Sequence, residues 1–134
     1  MANLKIIHAY RHIYRGLLHA IQFSKPARFT ARDQLRAAFR DERSKLDSRS
    51  IARTLRFLEA ATRTRGLEHT ILRNLLLTAY YRQKDAQNPW KFVDQNLKHP
   101  RRETELEKHV RKTAYKHYDM TVAMLNKSMG LCLR

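Results

Sequence analysis

Long stretches without glycine or proline limit most strongly what this chain can fold into. Its 134 residues include only three glycines and three prolines, the residues that most often interrupt regular secondary structure. Between them, apolar residues recur at steps of three and four, which is the period of a helix with one buried face. Hydrophobic residues make up 43% of the chain, enough for one modest core. The sequence therefore predicts an all-α fold.

This periodicity places six helices along the chain, with caps and breakers between them. The predicted helices cover residues 3–23, 31–43, 50–65, 67–82, 91–97 and 103–126. Thr30 is predicted to cap the second helix, Asp47 and Ser48 to supply a turn and a cap before the third, and Gly66 to close the third. The helix over 91–97 is short and lies in a connector that also contains Trp90.

The first predicted helix has an apolar side and a basic side. The apolar side carries Ile6, Tyr10, Ile13, Tyr14, Leu17 and Ile21. The opposite side carries Lys5, His8, His12, Arg15 and His19. A helix of this kind packs its apolar stripe on a core and leaves the other face to water or to a partner.

The charge of the chain is strongly one-sided. Lys and Arg number 28 against 12 Asp and Glu, which gives a net charge of +16. Such an excess favours a partner that is nucleic acid, an anionic surface or an acidic protein. Because aromatic residues are not interleaved on the basic faces, stacking on single-stranded bases is not favoured. Contact with backbone phosphates or with an acidic helix fits the pattern better.

No motif in the chain predicts catalysis or metal binding. The single cysteine, Cys132, can form neither an intrachain disulfide nor a cysteine-based metal site. His8 and His12 share a helical face, but no glutamate lies between them and basic residues flank them, so we predict no metal there. The three glycines are far apart and form no phosphate-binding loop. We expect no enzyme activity, no cofactor of its own and no small-molecule substrate.

The beginning of the chain is basic and free of acids. Its first acidic residue is Asp33, and an acid-free, amphipathic, basic start is typical of mitochondrial targeting segments. No apolar run approaches the roughly 20 residues that a membrane-spanning helix needs. We therefore expect a mitochondrial protein without a membrane span.

The triplet Ile13-Tyr14-Arg15, the basic segment after it and the pair Phe39-Arg40 form a pattern. This pattern resembles that of the LYR-motif family of small mitochondrial helical proteins, with Ile13 in place of the usual leucine. The resemblance covers residues 4–65. It implies a three-helix bundle extended here by two or three further helices. It also divides the chain into a LYR-type domain over 1–66 and a helical extension over 67–134, which packs on that domain or on a partner.

The resemblance implies a location in the mitochondrial matrix and a partner, the mitochondrial acyl carrier protein. That protein has an acidic surface and carries an acyl chain on 4'-phosphopantetheine, which the family accommodates in its helical core. By position in the motif, Tyr14, Arg15 and Phe39 are the implied contacts. Further candidates for binding the carrier or its acyl chain follow from the charge of their side chains or from the side of the helix on which they lie. They are Lys5, Arg11, His12, Arg40, Leu17 and Leu18.

Within the family, the Arg-rich second and third helices are most similar to the branch associated with the mitochondrial ribosome. This resemblance implies contact with mitochondrial ribosomal proteins and ribosomal RNA. Lys and Arg favour binding to RNA because they release its counterions. The candidate residues for that contact are Arg49, Arg53, Arg56, Arg63, Arg101 and Arg102. Two alternatives stay open: a LYR assembly factor or accessory subunit of a respiratory-chain complex, and a basic RNA-binding helical protein without a carrier protein.

Overall fold

The described part of the chain contains five α-helices. A computed structural model describes residues 2–41, 45–87 and 104–133. Its helices are α1 (Ala2–Ala20), α2 (Ala27–Arg40), α3 (Ser48–Arg63), α4 (Leu67–Gln87) and α5 (Glu105–Met129). These three segments contain no β-strand, and the all-α prediction is confirmed. The helix predicted over 91–97, with Trp90, lies outside the described residues.

The turn between α1 and α2 differs from the prediction. α1 ends at Ala20, because Gln22 and Phe23 take left-handed backbone angles, with φ of 53° and 55°. α2 then begins four residues earlier than predicted, directly after Pro26, whose carbonyl accepts from the Phe29 and Thr30 amides. Thr30 therefore lies buried in the first turn of α2, and its predicted role as an N-cap is wrong. The fixed φ of proline suits a helix start, which explains the shift.

The ends of α3 confirm one predicted cap and correct another. Asp47 is the N-cap, and its carboxylate accepts from the Arg49 amide at 3.0 Å and from the Ser50 hydroxyl at 2.5 Å. These hydrogen bonds, the Ser50 one first, lower the pKa of Asp47. Gly66 does not close α3, since the helix ends at Arg63 with Thr64 extended behind it. The glycine that closes a helix in the left-handed region is Gly130, after α5.

Four helices enclose the core in a ring. α1 packs on α2 and α3, and α4 packs on the same two helices, so α1 and α4 lie diagonally opposite. The centre is Leu58 on α3, which is only 1% exposed. Gly16 lets α1 come close, since a Cβ there would lie 3.3 Å from Leu58 Cδ1. Every ring helix contributes to the buried cluster, which includes Ile13, Ala20, Leu35, Phe57, Leu58, Ala61 and Leu72.

The buried stripe of α3 is rotated from the one that helical spacing predicts, which runs through Ile51, Leu55, Leu58 and Thr62. Thr62 was expected to face inward, but it is exposed, and its hydroxyl donates back to the Leu58 carbonyl at 2.8 Å, the bond that the sequence predicts. Thr54 and Phe57 are buried instead, at 4% and 5% exposure. The stripe therefore runs through Thr54, Phe57, Leu58 and Ala61, which again follows helical spacing.

α5 is fastened to the ring mainly by one arginine and two apolar side chains. Arg82 on α4 donates to Asp119 Oδ1 at 2.7 Å and to the Tyr115 carbonyl at 3.2 Å, and its guanidinium lies 4.4 Å from the Tyr115 ring centroid. Further along, Val122 and Leu125 pack against the core. The start of α5 carries a complete capping box between Thr104 and Glu107. None of the described helices is long and apolar enough to cross a membrane.

Replacing Leu58 with alanine tests the central position of this residue. We expect Leu58→Ala to lower the free energy of unfolding by about 2–5 kcal/mol, because a fully buried side chain leaves a cavity. Leu106→Ala is the matched control, since Leu106 is 72% exposed and should change stability by less than about 0.5 kcal/mol. Urea unfolding followed by circular dichroism measures both, and equal midpoints for the two variants would contradict this core.

Candidate functional site

The basic side of α1 is entirely open to solvent. Lys5, Arg11, His12 and Arg15 are all exposed. In the described parts of the chain, none of the four forms an ion pair. Together with His8 they define what we call the α1 basic face. Cations that are not paired with nearby carboxylates keep their full attraction for an anionic partner.

An aromatic cluster lies beside this face, where α1 meets α2. The Tyr10 and Tyr14 rings stack with centroids 6.0 Å apart, and Tyr10 meets Phe39 edge to face at 5.5 Å. Tyr14 and Phe39 are both partly buried against the core. Arg15 and Arg40, each next in sequence to one of these aromatics, are exposed. The fold therefore brings the two predicted motif pairs together through Tyr10, which the motif itself does not include.

The interior behind this cluster has little free space. Leu17 lines a cavity of about 80 Å³ that also touches Leu35, Leu58 and Leu133. Known small-molecule pockets measure about 300–1,000 Å³, so this space does not hold a long acyl chain as it stands. Leu18, the other predicted lining residue, is half-buried but does not line this cavity.

The segment Leu131–Leu133 fills much of that interior, and we call it the leucine plug. Leu131 and Leu133 are 7% and 8% exposed and belong to the same buried cluster as Leu58. The side chain of Asn126 holds the backbone of Leu133, donating to its carbonyl at 2.6 Å and accepting from its amide at 2.9 Å. The Thr54 hydroxyl accepts from the Cys132 amide at 3.1 Å. The plug therefore packs in the same interior as the first four helices, and Leu133 lines the small cavity beside Leu17.

The leucine plug was not predicted from the sequence. The signal was present, since Gly130 is followed by two leucines at alternate positions, which is what a short extended segment with one buried side requires. Its docking partner, Thr54, lies 78 residues earlier in the chain. A contact of that separation cannot be inferred from local periodicity.

The predicted ribosome-facing arginines on α3 are exposed but not equivalent. Arg49 and Arg56 form no side-chain ion pair among the described residues. Arg63 donates to Glu59 Oε1 at 2.5 Å, one turn away on the same helix. Arg53 lies against Gly130, so closely that a Cβ there would meet its guanidinium, near the negative end of the α5 dipole. Arg101 and Arg102 lie outside the described residues.

No metal-binding cluster of three or more His, Cys, Asp or Glu side chains is found within residues 2–41, 45–87 and 104–133. Cys132 is exposed and forms no disulfide among the described residues, and its sulfur lies 3.1 Å from the Thr54 hydroxyl.

Comparison with known proteins adds no relative. No family model, no curated protein and no solved structure matches this chain.

Truncating the plug tests whether it closes the core. We expect Leu131→Ala and Leu133→Ala each to lower the free energy of unfolding by about 2 kcal/mol, near the lower end for buried leucines because a terminal segment can relax. Met129→Ala is the control, since Met129 is 47% exposed on α5. Thermal melting measures the effect, and a leucine variant as stable as the Met129 variant would show that the plug does not pack.

Proposed function

We propose that this chain is a non-enzymatic LYR-type adaptor that binds the acylated mitochondrial acyl carrier protein in the matrix. The observation that carries the proposal is the α1 basic face next to the aromatic cluster of Tyr10, Tyr14 and Phe39. An acidic helix lying along α1 would meet Lys5, Arg11 and Arg15 within the range of ordinary ionic attraction. Tyr14 and Phe39 stand at the edge of the core, where an acyl chain coming from that side would enter.

The filled interior adds a requirement to this proposal. With about 80 Å³ of free space behind Leu17, the acyl chain gains apolar burial only if something moves out of its way. The leucine plug is the natural candidate, because it is a short segment held by a few hydrogen bonds to Asn126 and Thr54. Each buried methylene of the guest contributes about 0.8 kcal/mol, so a long chain can offset the loss of two leucine side chains. Binding would then depend on the length of the acyl chain.

For the second partner, we propose the mitochondrial ribosome, as a component of the large subunit or as its assembly factor, through ribosomal proteins and RNA. Support comes from the net charge of +16 and from the exposed Arg49 and Arg56 on α3. A respiratory-chain complex is the alternative partner. The proteins that copurify with the chain, ribosomal proteins or respiratory subunits, distinguish the two.

Charge reversal on α1 tests carrier binding. We expect Arg11→Glu with Arg15→Glu to weaken capture of acylated carrier protein by at least about tenfold, since like charges facing across an interface cost several kcal/mol. Arg49→Glu with Arg56→Glu carries the same change in net charge on α3 and should leave capture intact. Binding is measured by titration calorimetry at two salt concentrations. If both double variants weakened binding equally, the interaction would depend only on net charge, which would contradict a binding site on the α1 basic face.

The α3 variant also tests the ribosome proposal. We expect Arg49→Glu with Arg56→Glu to lower cosedimentation with mitochondrial ribosomes and to preserve carrier binding. Each replaced arginine removes one contact with a backbone phosphate, and each such contact contributes to affinity. We avoid Arg53 in this variant because its contact with Gly130 would mix folding with binding. Unchanged cosedimentation, or copurification with respiratory subunits in its place, would contradict this second partner.

A further inference from the structure

A second, much larger depression adjoins the small cavity behind the leucine plug, and Leu72 and Leu76 line both. It is about 830 Å³ in volume and runs between α4 and the turn that joins α1 to α2. We call it the α4 groove. Its size falls within the range of about 300–1,000 Å³ that is typical of ligand pockets. None of the residues proposed above to contact the carrier protein or the ribosome lines it.

One end of the α4 groove is cationic. Arg65, His69 and Arg73 line it. Arg65 precedes α4, which begins at Leu67, whereas His69 and Arg73 lie about one turn apart on the same side of α4. No carboxylate lines the groove in the described residues; Glu68, although next to His69 in sequence, does not line it. The beginning of α4 adds the positive end of its dipole to the same region. This end is therefore suited to an anion.

The other end is apolar. Leu76, Leu77 and Tyr80 continue the same side of α4 beyond Arg73. Leu77 is 43% exposed although its neighbours on the helix pack on the core. At 1.5 Å per residue, His69 and Tyr80 are about 17 Å apart along α4. The groove is thus graded along its length, from cations at one end to an apolar and aromatic strip at the other.

The second wall is built by the turn between α1 and α2. Ile21 and Ala27 line the groove there together with Gln22. Gln22 and Phe23 hold left-handed backbone angles, which cost roughly 1–2 kcal/mol per residue that has a side chain. The hydrogen bond from the Phe23 amide to the Leu18 carbonyl, at 3.0 Å, fixes that turn. The wall is therefore a defined surface that combines the apolar side chains of Ile21 and Ala27 with the polar Gln22.

From this gradient we propose that the α4 groove binds a single-chain fatty carboxylate. The carboxylate would lie at Arg65, His69 and Arg73, since guanidinium groups donate paired hydrogen bonds to such a head group. The alkyl chain would lie along Ile21, Leu77 and Tyr80, where each covered methylene contributes to binding. This site is separate from the adaptor function, because it needs neither carrier protein nor the α1 basic face.

Equilibrium dialysis with the chain alone and dodecanoate, below its micelle concentration, tests the proposal. We expect saturable binding of one dodecanoate, with clearly weaker binding of dodecanol, which lacks the charge, and of butyrate, which lacks the chain. Arg65→Gln with Arg73→Gln should weaken dodecanoate binding about three- to tenfold, the range expected for partly exposed charged partners. The control is Arg63→Gln, at an exposed arginine that pairs with Glu59 on α3.

Leu77→Glu adds a test of the apolar end, since it places a negative charge along the path of the chain at an exposed position. It should weaken dodecanoate binding at least as much as the double arginine change. Melting temperatures verify that each variant is folded. If Leu77→Glu does not fold, the double arginine variant still tests the proposal, because both arginines are exposed. Equal affinity for dodecanol and dodecanoate, or equal affinity of the double variant and the Arg63 variant, would overturn the proposal. Neither result bears on carrier binding, which is measured with a different partner and different residues.

Discussion

The burial of one face of α3 holds the described structure together. Leu58 and its helical neighbours Thr54, Phe57 and Ala61 contact elements from both halves of the chain. α1 comes close to this face at Gly16, and the leucine plug returns to it from beyond α5 through the Thr54 hydroxyl. The position of α4, and with it the shape of the groove, follows from the same packing. The rest of the structure therefore depends on a single stripe of four residues.

The charge of the chain is arranged around this core in separate faces. α1 presents cations on the side away from the bundle, α3 presents another set, and the start of α4 a third. With 12 acidic residues against 28 basic ones, few cations can be neutralised within the chain, and those that are, such as Arg63 and Arg82, have specific partners. The self-repulsion of a net charge this high destabilises a compact domain. An anionic partner on any of the faces would relieve part of it, so binding and stability are coupled.

Helical periodicity was sufficient to predict the class of fold and the sidedness of α1, because both depend on residues three or four apart. The pair Asp47 and Ser48 could be placed at the start of α3 for the same local reason, although the pattern did not say which of the two is the cap. The exchange of roles between Gly66 and Gly130 could not be predicted, since either glycine follows a helix and only packing decides which backbone turns left-handed. Thr30 was misassigned because Pro26 starts α2 one turn earlier.

Features formed by residues far apart in the chain could not be predicted from the sequence. The leucine plug is set by a contact over 78 residues, and the α4 groove is set by how α4 meets a strained turn. The α1 basic face, in contrast, was accessible from spacing alone. The candidate docking face could thus be derived residue by residue, whereas the space available to a guest could not.

In the proposed complex, the leucine plug and the acyl chain compete for one interior. Amide hydrogen exchange at Leu131 and Leu133 measures this most directly, with the carrier protein added in acylated and in unacylated form. We predict that acylated carrier speeds exchange at these two amides, while the unacylated form binds α1 and leaves their protection unchanged. Equal protection with both forms, under conditions where both are bound, would contradict the account.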